Sequence, residues 1–257
     1  MVDLATLEHA LTVEYLYALY SLRAPDEIDS TKWPMLPDHL VFVRHQLLQI
    51  AVSEMRHLRW ANELLWRLSD LGLVKPREPS LGIATTIPRG GDHTRPTALR
   101  RLDDETLADF IAVEAPSNRI DGQYSRVVAT LRQPGYEAAL YTIAAQIVAD
   151  GSEHYSRFRE IGNVLSAYAA AQRPYLREIS PADPAEPEVA NALTLYHSVV
   201  DGLAGAYRNT GTTPTAAEAI VEARKNMLTI NKLAEELARR GKGLPFFSLP
   251  EGDRDAR

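Results

Sequence analysis

Apolar residues recur every three to four positions over long windows of this chain, and runs that alternate β-branched or aromatic with polar residues are scarce. The pattern predicts an all-α protein. A first helix runs from about Asp3 to Ser21 and stops before Pro25. After a linker holding Pro34 and Pro37, a second runs from Asp38, read as its N-cap, to Leu71, with Gly72 as the stop. From Lys75 to Thr97 the chain carries Pro76, Pro79, Pro88, Pro96 and the pair Gly90-Gly91, a loop composition. So long a connection inside one domain suggests a crossover or a cover over a site. A third helix starts near Asp103-Asp104, is interrupted at Pro116 and resumes from Gln123 to Leu131; a fourth covers about Tyr136 to Ala170. The proline-rich stretch Ser180 to Pro187 reads as a hinge before two further helical segments, about 189–208 and 216–240, and the tail Gly243-Leu-Pro-Phe-Phe247. The expected organisation is one domain over 1–257, with a four-helix core at about 3–170 and accessory C-terminal helices at about 187–240.

The polar residues inside the apolar stripes carry the chemistry. At about 100° per residue, Leu47, Ile50, Glu54, His57, Ala61, Leu65 and Leu68 share one face of the second helix, so Glu54 and His57 lie within the apolar row. On the first helix Leu7, Ala10, Leu11, Glu14 and Ala18 share a face; Glu8 and His9 fall off it and read as surface residues. Glu114 is the polar member of the row Leu107, Phe110, Ile111 on the third helix. On the fourth, Asp150 and His154 lie on the stripe of Ile143, Ile147, Phe158 and Ile161, with Glu153 displaced by roughly a quarter turn. The residue three before His154 is Gly151, so the fourth helix offers either Asp150 at i,i+4 or, through a local bulge, Glu153.

Buried carboxylates need partners, and several facing one another need cations. A Glu and a His three residues apart project from one helical face, and such pairs, joined by single carboxylates from other helices, enclose dinuclear metal sites in helical bundles. Glu14, Glu54, His57, Glu114, Asp150 and His154 are therefore candidate metal ligands. With no cysteine in the chain, thiolate sites and disulfides are excluded. Oxygen with imidazole nitrogen suits two iron ions, with manganese as the other choice. A net charge of −6 argues against a nucleic-acid partner. The acidic amino terminus is unlike a secretory signal, and no stretch approaches the roughly 18 apolar residues of a spanning helix, so a cytoplasmic protein with no membrane partner is expected.

On these residues the chain resembles a known family, the ferritin-like domain of the iminophenyl-pyruvate dimer synthase type found in violacein and related bisindole biosynthesis. The resembling segments are 7–21 (LEHALTVEYLYALYS), 50–58 (IAVSEMRHL), 61–65 (ANELL), 110–116 (FIAVEAP) and 150–154 (DGSEH), together with the late helices and the tail. The resemblance implies a ferritin-like four-helix bundle with a long crossover loop and additional C-terminal helices. It also implies that Glu14, Glu54, His57, Glu114 and His154 take the metal-ligand places, the acidic residue before Gly151 being Asp150. In the best-known members this domain is fused to a larger partner that couples oxidised amino acids.

The expected function is a di-iron oxidase or oxygenase that uses O2 as co-substrate on a small amino-acid-derived or aromatic metabolite. Tyr17, one turn beyond Glu14, is a candidate hydrogen-bonding or radical residue, and Glu153 a second candidate. Expected partners are the small-molecule substrate, an electron donor, a partner enzyme and a second copy of the chain. Iron storage without an organic substrate and a non-catalytic role beside a pathway enzyme are the rival readings.

Overall fold

The computed structural model describes residues 2–75, 78–89, 93–116, 119–168, 173–208 and 213–247. Its core helices are α1 (Val2–Tyr20), α2 (Leu36–Asp70), α3 (Asp104–Val113), α4 (Arg119–Leu131) and α5 (Ala138–Ser166); α6 (Pro187–Arg208) and α7 (Pro214–Arg239) form a hairpin beside them. The all-α expectation holds, with short strands only. Among the described residues no helix is long and apolar enough to cross a membrane.

Local chemistry sets the helix ends. α2 starts two residues before the predicted cap, because Pro37 is tolerated in a first turn where amide donors lack partners, and Asp38 sits inside that turn near the positive end of the helix dipole. Gly72 ends α2 at φ +68, with Gly72 N donating to Ser69 O at 2.9 Å and Leu73 N to Leu68 O at 2.9 Å, a Schellman closure. Asp103 caps α3 by accepting from Thr106 N at 2.8 Å. Pro116, which cannot continue a helix, separates α3 from α4, and the chain is helical again from Arg119, four residues earlier than predicted. The predicted end of the fourth helix at Ala170 and the Gly90-Gly91 pair lie outside the described residues.

Neighbouring core helices run antiparallel. Arg44, early in α2, donates to Leu22 O just past the end of α1 at 2.6 Å, and Arg157 of α5 donates to Gln46 of α2 at 2.7 Å. The connection after α2 returns along α1 to the opposite end of the bundle: Ala84 N donates to Thr6 O at 3.1 Å, Ala98 N to Glu14 at 2.8 Å and Leu102 N to Ser21 Oγ at 2.9 Å. It is a crossover, as its length suggested. Midway it holds an antiparallel pair, β1 (Thr86–Pro88) with β2 (Thr94–Pro96), in a stretch whose prolines gave no strand signal.

The α6/α7 hairpin packs across α1 and α2, where Tyr20 donates to Asn231 at 3.1 Å and Arg44 pairs with Glu235 at 2.7 Å. The tail runs parallel to Ser180–Pro181, and its Gly243 lies so close to the Tyr17 ring that a Cβ there would overlap it. α1 is thus enclosed by other helices, the crossover and the hairpin, and fifteen of its nineteen residues are buried. A helix buried all round has no solvent face to betray its phase.

Candidate metal centre

Four core helices bring acidic and imidazole groups to one level. Glu54 of α2 stands in the middle: its Oε2 is 3.2 Å from His57 Nδ1 and its Oε1 is 2.7 Å from His154 Nδ1 on α5. On one side Glu8 Oε2 of α1 lies 3.6 Å from His57 Nδ1; on the other Glu114 Oε2, the residue that closes α3, lies 3.6 Å from His154 Nδ1. The two imidazoles stack with centroids 5.2 Å apart. The halves match even in their support, since Tyr124 of α4 donates to Glu8 at 2.6 Å and Tyr15 of α1 donates to Glu114.

The level is dry. Tyr15, Phe110 and Phe158 pack edge to face on one side of it, with centroids 4.7 and 5.0 Å from Tyr15. Ile147 and the cluster of Leu64, Leu131, Leu140, Ile143 and Ala144 close the other side. Between them is a cavity of about 20 Å³ lined by Glu8, Leu11, Glu54, His57, Glu114, Tyr124, Ile147, Gly151 and His154. That volume suits about one water-sized ligand. Among the described residues neither the crossover nor the late helices contribute to the lining, whereas α4 contributes Tyr124.

Electrostatics follow from the crowding. Burial and the neighbouring Glu54 push the Glu8 carboxyl up to about 8. Burial opposes charge on the imidazoles, but Glu54 and Glu114 hold His154 up at about 10, and Asp150, Glu54 and Glu8 hold His57 well above its ordinary value. Burial also acts against Glu54, yet His154 and His57 outweigh it and keep its carboxylate well below the usual range. Without a metal, burial and these ion pairs favour the protonated forms of Glu8, His57 and His154.

The groups fit a metal. Glu54, His57 and His154 present ligand atoms all within 4.8 Å of one another. His154 Nδ1 meets Glu54 as an ion pair at 2.7 Å, while its buried Nε2 has no hydrogen-bond partner among the described residues, an expensive omission. His57 is pre-oriented: Asp150 lies 3.1 Å from its Nε2 and accepts from Ser53 Oγ, which leaves Nδ1 to face the carboxylates.

Four sequence expectations need correction or relocation. Glu14 is fully buried but turned away from the cluster: Arg95 grips both its oxygens at 2.7 and 2.6 Å, and Ala98 N donates to it. The α1 carboxylate facing His57 is Glu8, which with His9 is buried rather than on the surface. His9 lies 2.8 Å from both Leu81 O and the Tyr196 hydroxyl. Asp150 sits on the outer nitrogen of His57 and does not line the cavity, while Glu153 is exposed and pairs with Arg157 at 3.1 Å. Tyr17 packs against the tail; the tyrosines at the cluster are Tyr15 and Tyr124. Glu8, Tyr15, Tyr124 and Ser53 were not singled out as site residues, although the near-continuous apolar run of α1 signalled that no residue on it need face solvent.

A ferritin-like family model, described as Ferritin-like, matches residues 3–166, and the chain belongs to that family. The match ends with α5, so α6 and α7 lie outside it. Comparison with curated proteins and with solved structures returns no match.

Proposed function

We propose that this protein is a non-haem di-iron oxidoreductase that uses O2 to oxidise a small amino-acid-derived or aromatic molecule, acting in the cytoplasm with an electron donor and a partner enzyme. The observation that carries the reading is Glu54 standing between two matched sets, Glu8 with His57 and Glu114 with His154. Iron, or manganese in its place, would supply the Lewis acidity and the electrons for O2 chemistry. Glu8, Glu54, His57, Glu114 and His154 would hold the metal, with the two Glu54 oxygens facing the two imidazoles. Tyr124 and Tyr15 hold the outer carboxylates in single orientations, and Asp150 with Ser53 fixes the His57 tautomer. The aromatic and aliphatic layers keep bulk water out. The resemblance to the bisindole-pathway domain supports the substrate class.

The cavity of about 20 Å³ also favours a second reading, oxidation of iron itself with no organic substrate. Protein loaded anaerobically with Fe(II) and mixed with O2 separates them. The oxidase reading expects a transient visible band and O2 uptake that rises with an aromatic amino or keto acid. Sustained turnover of excess Fe(II), unaffected by any organic acid, would favour the second.

A further inference from the structure

At the end of the bundle where α1 stops, an open cleft of about 540 Å³ lies between the turn after α1, the segment before α2 and residues 173–178. Arg23, on its wall, comes fifteen residues after Glu8, roughly 22 Å at the 1.5 Å rise of a helix. The cleft is thus separate from the Glu54 level, and its volume is that of a small-molecule site.

Its walls are fixed. Arg23 N donates to Tyr175 O at 2.8 Å, and Leu22 pairs with Leu176 in an isolated bridge. Arg173 holds φ +51, a left-handed conformation that residues other than glycine seldom adopt, and such strain concentrates at ligand sites. Leu176 N donates back to Arg173 O at 2.9 Å and closes that turn. Ile28, Trp33 and Pro174 give the lining an apolar strip, with the Trp33 ring set edge-on to Tyr168 at 6.1 Å.

The charges on the walls are unequally committed. Glu27 accepts from Ala24 N at 2.6 Å and from Arg177 Nε at 3.1 Å, and Asp29 accepts from Thr31 N at 3.0 Å. Asp103 caps α3, Glu178 pairs with Arg101 at 2.5 Å, and Arg173 pairs with Asp104 at 2.7 Å. Arg23 and Lys32 differ. Arg23 Nε donates to Leu176 O at 3.1 Å, which orients the guanidinium and leaves its two terminal nitrogens without an acceptor among the described residues. Lys32 Nζ lies 5.6 Å from the Trp33 ring centroid and has no carboxylate at ion-pair distance among the described residues. Residues 169–172, just before Arg173 in the chain, carry no charge, so this balance does not depend on them.

We propose that this cleft is a second ligand site, which takes a small organic molecule by its carboxylate or phosphate. Arg23 and Lys32 hold the oxyanion, for which an oriented guanidinium and a free ammonium are suited donors. The body of the molecule lies along Ile28, Trp33 and Pro174. The inference stands apart from the di-metal reading, because no residue of the Glu54 level takes part in it.

Calorimetric titration of the full-length protein at low salt with phenylacetate and with inorganic phosphate tests it. Saturable binding at about one site per chain is expected, with a Kd of about 1 mM or tighter that weakens as salt is raised. The tighter of the two assigns the head group, phenylacetate to an organic acid and phosphate to a phosphorylated ligand. Arg23→Met with Lys32→Met weakens binding by about tenfold or more at unchanged iron content. Should that double variant not fold, Lys32→Met alone, at an exposed position, carries the test with a loss of about threefold or more. No saturation by either probe below about 10 mM, or a folded variant that binds as tightly as wild type, overturns the inference and leaves the di-metal reading intact.

Discussion

Removing the Arg95 charge tests whether Glu14 is a structural anchor of the crossover. Arg95 donates to both Glu14 oxygens at 2.7 and 2.6 Å and pairs with Asp109, to which Arg100 adds a contact at 2.5 Å and Arg89 one at 2.7 Å. The Glu14 and Asp109 side chains are 0% and 1% exposed and Arg95 is 10% exposed, so water cannot replace the lost partner. Arg95→Met keeps much of the side-chain volume and strands Glu14 with a single backbone donor. Breaking a buried pair from one side costs about 3 to 5 kcal/mol. At about 2 to 4 °C per kcal/mol for a chain of this size, the unfolding midpoint should fall by about 6 to 20 °C. The double variant Arg95→Met with Glu14→Leu leaves no uncompensated Glu14 charge and should recover at least about 1 kcal/mol relative to additivity. Thermal and denaturant unfolding of four metal-free proteins, the wild type, Arg95→Met, Glu14→Leu and the double variant, gives these numbers, and iron content is measured beside them. The reasoning is refuted if the single variant loses less than about 1 kcal/mol, or if Glu14→Gln sheds iron while keeping its stability, since Glu14 would then belong to the metal centre.

Three further outcomes follow from the same geometry. Asp150→Asn leaves the His57 Nε2 partner in place but uncharged, and should weaken iron binding by about 10- to 100-fold, read by competition with a chelator. For pH, Glu8 held up at about 8 and His154 at about 10 give the metal-free fold stability that is complete below their unfolded values and lost as pH rises through about 8 and about 10. Glu54, held low, works the other way and loses its contribution only on acidification. The midpoint of the metal-free protein should therefore decline between pH 6 and 10, and iron, which displaces those protons, should flatten the decline in a thermal unfolding series. Gly243→Ala forces a methyl into the Tyr17 ring and should cost about 1 to 3 kcal/mol, measured by denaturant unfolding, with no change in iron content.

The helices and the crossover were legible because long apolar periodicity, Gly72 and the cluster of prolines each have one structural reading. That Glu54, His57, Glu114 and His154 face inward was legible for the same reason: α2, α3 and α5 each have a solvent face, so a polar residue within the apolar row must point inward. α1 lacks such a face. Glu8 and Glu14 are six residues apart, about 120° around the axis, and both are buried, one toward His57 and the other toward Arg95. A stripe rule that admits one inward face had to choose between them and took the one whose partner is an arginine. That arginine sits on a short strand in a proline-rich loop, where no periodicity announces it. Tyr124 was hidden because the break at Pro116 loses the helical phase between α3 and α4; Asp150 was legible as an inward residue, but rotation alone does not distinguish a residue facing the cavity from one facing the outer edge of His57.

The central claim is that Glu54 serves two cations at once. Iron bound per chain after anaerobic reconstitution, measured for the wild type and for Glu54→Ala, tests it most directly. The account predicts about two irons per chain in the wild type and loss of both in the variant. A wild-type protein holding none or one, or a Glu54→Ala protein that keeps both, would contradict it.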